Sequence, residues 1–173
     1  MTNQQKSDTF DTLKLMGAGT AFRQEMCNMI ETTHMFRDFE WNDIEALADY
    51  LQAYEANAGT NLFREGDSGD YLCLVIQGKV DIYKEDLNQQ KKIVASIGPG
   101  KTLGEMAIID GELRSATAVV AIPTTLTILT KNNFLRIIED KPMLAAKILL
   151  KIARLLSQRL RQTSGILVDY LEN

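Results

Sequence analysis

The stretch from Gly104 to Ser115 carries side chains suited to binding an anion. Gly104 permits a close approach of the backbone, and Glu105 to Ile109 are predicted to form a short helical turn whose free N–H groups face an anion. Arg114 supplies a planar fork of donors that suits phosphate oxygens better than the point charge of a lysine. Ser115 adds a hydroxyl. The stretch therefore predicts a phosphate-binding loop.

Glu105 has a different role in this interpretation. A carboxylate beside a phosphate is repelled by it, unless it faces a hydroxyl and a cation lies between the two anions. A ribose 2′-OH would be such a hydroxyl, with Arg114 as the intervening cation. The alternative for each residue taken alone is a surface turn with an ordinary Arg–Glu pair. The ordered set favours a site for a sugar phosphate.

These residues also resemble a known family. The run G-E-M-A-I-I, followed four residues later by R-S-A-T-A, is similar to the phosphate-binding cassette of cyclic-nucleotide-binding domains, as found in the bacterial catabolite activator, protein kinase A regulatory subunits and cyclic-nucleotide-gated channels. The resemblance implies that Glu105 accepts a hydrogen bond from the ribose 2′-OH and that Arg114 holds the cyclic phosphate. It assigns Gly104, Met106 and Ser115 to the same site. The chain departs from the pattern at Leu113, where many members carry proline.

The resemblance assigns further contacts outside the cassette. Ile82, Val94 and Ala95 align with residues that pack against sugar and base, although inward-facing strand residues would be apolar in any case. Thr117 is a candidate to face the purine. In the last helix, one alignment places Thr163 at the base and another places Arg159 there, one turn earlier. The ligand expected is cAMP or cGMP, with a cyclic dinucleotide left open.

Composition and charge limit the other possibilities. A chain of 173 residues with 45% hydrophobic and 24% charged residues has room for one buried domain and an appendage. The net charge of −4 argues against a nucleic-acid-binding surface over the whole protein. The polar N-terminus and the lack of a long apolar run favour a cytoplasmic protein without a membrane span.

Cysteine and histidine are scarce. Cys27 and Cys73 are far apart, so we expect buried thiols rather than a disulfide. His34 is the only histidine, and we interpret it as a surface or hinge residue. This usage excludes the common His/Cys zinc sites, so no metal is predicted. No nucleophile, elbow motif or metal cluster is recognisable, so we expect no catalytic residues.

The fold class predicted is α+β and mainly β: an antiparallel, jelly-roll-like β-roll flanked by N-terminal helices and a long C-terminal helix. Helical periodicity over residues 20–33 and 41–51 gives two helices, with Trp41 as a packing anchor. From Gln52 the period becomes two and turn residues recur at short intervals, including Gln77-Gly78. Strands are predicted at residues 62–64, 71–76, 79–84, 92–97, 115–122 and 126–130, around a polar hairpin tip at 86–92.

The C-terminal part is predicted to be helical. Asn132 is expected to cap a helix over 133–140, and Pro142 to begin a longer one from Met143 to about Ser164 that Gly165 interrupts. We expect three parts: an N-terminal helical extension (1–33), the β-roll with its flanking helices (34–140) and a lid or dimerisation helix (141–173). Near-heptad apolar steps in the last helix predict a homodimer.

Charge differs between the two ends of the chain. Residues 141–168 contain six basic side chains and no acid, whereas residues 1–55 carry ten acids against four bases. Attraction between these ends, within or across subunits, is the main interpretation, and nucleic-acid contact is the alternative.

Four functions follow from these observations. The first is a cyclic-nucleotide sensor without catalytic activity that signals through its C-terminal helix, with another signalling protein as a candidate partner. The second is a relative of the Crp/Fnr regulators; a chain ending at Asn173 lacks a reading helix, so no direct sequence-specific DNA binding is expected. The third is an enzyme, which the missing catalytic groups disfavour. The fourth is a ligand-free protein–protein adaptor, which the pairing of Glu105 with Arg114 disfavours.

Overall fold

The structure, a computed structural model, describes residues 12–86 and 88–171. Its helices are α1 (Arg23–Glu31), α2 (Trp41–Ala48), α3 (Glu105–Asp110), α4 (Lys131–Asp140) and α5 (Pro142–Leu171). Its strands are β1 (Lys14–Ala18), β2 (Gln52–Ala56), β3 (Asn61–Phe63), β4 (Tyr71–Glu85), β5 (Lys91–Ile97), β6 (Thr102–Leu103) and β7 (Thr117–Thr130). A 3-10 turn at Thr20–Phe22 leads into α1.

The strands form one antiparallel sheet of seven strands among the described residues. The order is β1-β2-β7-β4-β5, with β3 added on β7 and β6 on β4. The long strands β4 and β7 pair along most of their length, from Tyr71 opposite Thr130 to Tyr83 opposite Thr117. Their inner faces supply a core of apolar side chains, among them Val75, Val80, Ala118, Val120 and Leu126. The predicted mainly-β fold, a β-roll with flanking helices, is confirmed.

The chain divides into two compact units, Met1–Leu135 and Arg136–Asn173. The sheet and α1 to α3 belong to the first unit, and α5 belongs to the second. The predicted boundaries after residues 33 and 140 stay predictions. No helix in the described ranges is both long and apolar enough to cross a membrane.

The turn predicted at Gln77-Gly78 is wrong. Strand β4 runs through it, and the register against β7 shifts between Val75 and Val80. Gly78 has a φ of 101°, and a Cβ there would lie 2.7 Å from the carbonyl oxygen of Pro123. The glycine therefore lets two strands cross closely at a bulge, where a proline in β7 is also tolerated. For the same reason the two strands predicted at 115–122 and 126–130 are one strand.

Strands β1, β2 and β6 were not predicted. Strand β1 includes Gly17 and Ala18, and it pairs with β2 with a register shift between Leu15 and Gly17. The ring of Phe22 occupies the space that a side chain at Gly17 would need. Strand β6 has only two residues, too few for a periodic pattern.

Helix α2 begins at Trp41, but this residue does not anchor the packing. Its side chain is 42% exposed, while Ile44 and Leu47 bury the apolar face of the helix. Near this helix, Arg23 of α1 donates to both carboxylate oxygens of Asp49, at 2.7 and 2.6 Å.

The predicted boundaries of the last two helices need correction. Helix α4 begins at Lys131, and the N–H of Asn133 donates to Oγ1 of Thr130 at 3.2 Å, so Thr130 takes the capping role predicted for Asn132. Helix α5 continues through Gly165 to Leu171. A single glycine costs a helix only about 1 kcal/mol, which a helix of this length tolerates.

The predictions for the scarce residues are confirmed. Cys27 and Cys73 are free and buried, and His34 is exposed. The hairpin between β4 and β5 contains the polar tip, where Asp86 accepts from the backbone N–H groups of Asn88 and Gln90 and pairs with Lys92 at 2.9 Å. Leu87 of this tip lies outside the described residues.

Candidate functional site

Arg114 lies at the centre of the site. It precedes β7 in the loop that follows α3, and its side chain is only 3% exposed. One terminal nitrogen donates to the carbonyl oxygen of Gly104 at 2.8 Å, and the other donates to that of Tyr71 at 2.7 Å. Its Nε is buried and has no hydrogen-bond acceptor among the described residues. The guanidinium therefore keeps unused donor capacity within the fold.

Two aromatic rings cover the guanidinium. The Cζ atom of Arg114 lies 4.2 Å from the ring centre of Phe63 and 4.6 Å from that of Tyr71. Phe63 ends β3 and Tyr71 begins β4, so the two strands deliver the rings from opposite ends of one loop. A cation over aromatic faces is stabilised most where water is excluded.

Two glycines make room for the arginine. A Cβ at Gly104 would lie 2.5 Å from a terminal nitrogen of Arg114, and one at Gly69 would lie 2.9 Å from its Nε and also collide with Ala107. Gly104 has a φ of 81°, which most side chains disfavour. The predicted need for glycine at 104 is confirmed, and Gly69 is a second such position.

Glu105 is the first residue of α3 and is 1% exposed. The predicted short helix from Glu105 is confirmed, and it ends at Gly111, whose φ is 75°. Ser115 is exposed, and its hydroxyl lies 3.9 Å from the sulfur of Met106. The cassette thus combines a buried cation and a buried carboxylate with an exposed hydroxyl.

The charges of both Arg114 and Glu105 affect the pKa of Cys73 in β4. Burial raises the pKa of this thiol to about 12; the charge of Arg114 lowers it and that of Glu105 raises it. Two opposite charges therefore act on the same buried part of β4. The thiol stays protonated over the whole physiological range, so it is not a nucleophile.

The predicted apolar wall lies on the β4–β5 pair, where the core face of the sheet becomes exposed. Residues directly opposite each other share a face, so Val80 with Ile97 and Ile82 with Ala95 form one row on the core face. Along this row, burial decreases from Val80 and Ile97 through the half-buried Ile82 to the exposed Ala95. Val94 occupies the register shift beside this row. The structure thus brings the three predicted wall residues together.

The remaining predicted residues lie elsewhere. Thr117 pairs with Tyr83, so it lies on the face opposite to Ile82, and its Oγ1 accepts from the backbone N–H of Glu65 at 3.0 Å. Arg159 and Thr163 lie on α5, in the second unit.

The sequence reasoning missed Phe63, Gly69 and Tyr71. All three lie in the run F-R-E-G-D-S-G-D-Y, residues 63–71. An aromatic residue at each end of a glycine-rich loop was the available signal. What it could not show is that both rings meet an arginine more than 40 positions later, since the bond from Arg114 to Tyr71 spans 43 residues.

Among the described residues, no group of three or more histidine, cysteine, aspartate or glutamate side chains could hold a metal ion.

Comparison with known proteins supports the site. The family profile described as "Cyclic nucleotide-binding domain" matches residues 54–141, which include β3 to β7 and the whole cassette. The chain is 33% identical over 128 residues to the cyclic AMP receptor protein of Thermus thermophilus, covering 74% of this chain and 57% of that protein. It is 29% identical over 174 residues to a cAMP-dependent protein kinase regulatory subunit of Debaryomyces hansenii, covering 98% of this chain and 37% of that protein.

A solved structure is also similar. The cyclic nucleotide-binding domain from Methylobacillus flagellatus KT superposes with a TM-score of 0.82 at 28% identity, covering 97% of this chain and 96% of that one. By contrast, the chain spans little more than half of the Thermus protein and about a third of the kinase subunit. Since the family profile covers about half of the chain, including β3 to β7 and the residues around Arg114, the chain belongs to the cyclic nucleotide-binding domain family.

Proposed function

We propose that the chain binds cAMP or cGMP and acts as a regulatory module without catalytic activity. The observation that carries the proposal is the buried Arg114, which keeps an unused Nε–H and belongs to the same cassette as the buried carboxylate of Glu105. Family membership supports a cyclic nucleotide as the ligand, and the names of the relatives favour cAMP.

Arg114 is assigned to the cyclic phosphate. A guanidinium has five N–H donors, and two of them donate to backbone carbonyls here, which leaves three. An anion held by these donors would neutralise a buried cation that two carbonyl dipoles and two ring faces already stabilise. Gly104, Met106 and Ser115 flank the same position.

Glu105 is assigned to the ribose. A carboxylate accepts hydrogen bonds only, so it suits the 2′-hydroxyl and disfavours a second phosphate. The assignment predicts discrimination against 2′-deoxy nucleotides. Ile82 and Ala95 on the core face, and Val94 at the register shift beside them, are assigned to the sugar and base, because partly or fully exposed apolar side chains gain free energy when a flat ring covers them. Thr117 keeps its assignment to the purine as a prediction only.

The second unit is assigned to output. In this proposal residues 1–33 are an extension, residues 34–140 bind the ligand, and residues 141–173 respond to it, with Arg159 or Thr163 reaching the base. Leu160, Ile166, Leu167 and Val168 of α5 are exposed, which supports a second copy of the chain as its partner. A ligand shifts such an element only by its differential affinity for the two arrangements.

The proposal is tested by isothermal titration of the purified chain with cAMP, cGMP and cyclic di-GMP, with 5′-AMP as a control that carries a non-cyclic phosphate. We expect one site per chain and tighter binding of a cyclic mononucleotide than of 5′-AMP. Binding of none of the cyclic nucleotides would reject the proposal and favour a protein–protein adaptor.

A further inference from the structure

We propose that Phe63 and Tyr71 are positioning residues that hold Arg114 ready for an anion. Together with the carbonyl oxygens of Tyr71 and Gly104 they form what we call the arginine clamp. The identity of the anion, the phosphate of a cyclic nucleotide, rests on the proposed function. The clamp itself does not, because its contacts are all made by the chain's own groups.

The aromatic rings restrict the faces of the guanidinium. Both rings are buried, their centres are 6.5 Å apart, and their planes meet at 65°. With Cζ of Arg114 at 4.2 and 4.6 Å from the two centres, the guanidinium cannot turn without losing one ring. The negative faces of the rings also offset part of the cost of burying a cation.

The carbonyl oxygens of Gly104 and Tyr71 hold the edges of the Arg114 guanidinium in place. Each terminal nitrogen of Arg114 donates to one of them, at 2.8 and 2.7 Å. Nε is then the buried donor of this guanidinium that the described residues leave without an acceptor. Since buried donors are almost always satisfied, this N–H marks where an anion's oxygen belongs. A lysine could not be held in this way, because it has neither a planar face nor separate edges.

The clamp residues are themselves fixed. The hydroxyl of Tyr71 donates to the carbonyl oxygen of Leu62, the residue before Phe63, which ties the two strands together. Gly69 and Gly104 lack the Cβ atoms that would collide with the guanidinium. The loop between β3 and β4 and the residue that precedes α3 therefore both leave room for the side chain of Arg114.

The first test needs no nucleotide. Protons above aromatic faces resonate upfield, so the ¹H–¹⁵N signal of the Arg114 Nε–H should lie upfield of those of the exposed Arg37 and Arg64 and should exchange slowly with water. Loss of the signal in Arg114→Lys assigns it. Phe63→Leu should move it back toward the others. A signal with the shift and exchange rate of Arg64 would overturn the clamp.

The second test is a double-mutant cycle on affinity for cAMP and cGMP. Phe63→Leu should weaken binding roughly three- to thirty-fold, the range expected for a desolvated cation–π contact. Phe36→Leu is the matched control, because Phe36 and Phe63 are both 7% exposed. If Phe63 acts through Arg114, the same change should cost less in an Arg114→Lys background. An equal loss in both backgrounds would overturn the inference.

A gentler variant covers the case in which Phe63→Leu fails to fold. A phenylalanine at position 63 with several ring hydrogens replaced by fluorine changes the size of the ring little and weakens its negative face, so it should also reduce affinity; unchanged affinity and an unchanged Arg114 signal contradict the clamp. The two hypotheses fail separately. Wild-type protein that binds neither nucleotide but shows the shifted, protected signal rejects the proposed function and supports the clamp. Binding with an ordinary signal rejects the clamp alone.

Discussion

The two ends of the candidate site differ in how much of their structure the chain supplies by itself. At the cassette, Arg114 and Glu105 are 3% and 1% exposed, and two backbone carbonyls and two rings enclose the guanidinium of Arg114. At the wall on β5, Val94 is 58% exposed among the described residues. An unpaired buried charge costs far more free energy than an exposed methyl group. The chain must therefore hold the charged side chains in place before the ligand binds, whereas the apolar side chains can stay exposed until a ring of the ligand covers them.

The largest effect should come from the centre of the cassette. Arg114→Ala removes the only buried cation of the site and leaves the phosphate charge unpaired, which should cost about 3–5 kcal/mol of binding, or a few hundred-fold and more in Kd. Titration with cAMP and cGMP measures it. The control is Arg64→Ala, which removes an exposed arginine next to Phe63 in the chain. This variant should bind as wild type. Wild-type affinity in Arg114→Ala would end the assignment.

Glu105 should matter less, since it contributes one charged hydrogen bond to a hydroxyl. Glu105→Gln is expected to lose about 1.5–3 kcal/mol, or roughly ten- to 150-fold in affinity. The loss should be much smaller for 2′-deoxy-cAMP, which lacks the hydroxyl. If the variant loses the same factor for both nucleotides, Glu105 does not contact the ribose.

The C-terminal helix adds a third region to the comparison. Deleting residues 159–173 should weaken binding by about five- to 150-fold if helix–base contacts of about 1–3 kcal/mol couple ligand to output. The first unit should remain folded, as judged by its circular dichroism. Hydrogen exchange over residues 143–168, with and without cAMP, is the companion measurement. Unchanged affinity together with unchanged exchange would make the chain a passive binder.

The wall should show the smallest change in affinity. Val94→Ala removes two methyl groups from an exposed position and should cost about 0.5–1 kcal/mol, or two- to five-fold in Kd. Ile122→Ala on β7, which is similarly exposed and lies away from the wall, is the matched control. A loss at Val94 as large as that at Glu105 would mean that the apolar end is as ordered as the cassette.

The pH dependence of stability that Cys73 contributes tests, without a ligand, whether the strand beside the cassette is buried. Its pKa is raised from 9.0 to about 12, mainly by burial. A raised pKa means that the folded chain holds a proton that the unfolded chain releases, so this stabilisation is complete below pH 9 and is lost as the pH rises toward 12. The unfolding free energy of wild type should therefore fall more steeply over that interval than that of Cys73→Ala. Parallel curves would show that the thiol is accessible to water.

The parts of the site that were predicted from sequence are those that are contiguous in it. Gly104, Glu105, Arg114 and Ser115 lie within twelve positions, so their types and order were sufficient to indicate a phosphate loop. Alternation likewise revealed most of the strands. The rings of Phe63 and Tyr71 reach Arg114 only through the pairing of distant strands, which no local pattern encodes.

The errors in the fold have a similar cause. Gly78 looks like a turn residue, yet it serves a close crossing of two strands that depends on Pro123 and Thr124, about 45 positions away. Trp41 has the size of a core residue, but its position at the start of α2 leaves it at the surface. In both cases tertiary contacts decided against the local signal.

The central claim is that the free edge of Arg114 receives the cyclic phosphate. The most direct measurement follows the Arg114 Nε–H signal by ¹H–¹⁵N NMR while cAMP is added, with cGMP in parallel and with the exposed Arg37 and Arg64 as internal references. The account predicts that the Arg114 signal moves downfield as its donor gains a charged acceptor, saturates at one nucleotide per chain, and leaves the reference signals in place. A signal that stays unchanged while other residues report saturable binding would contradict it.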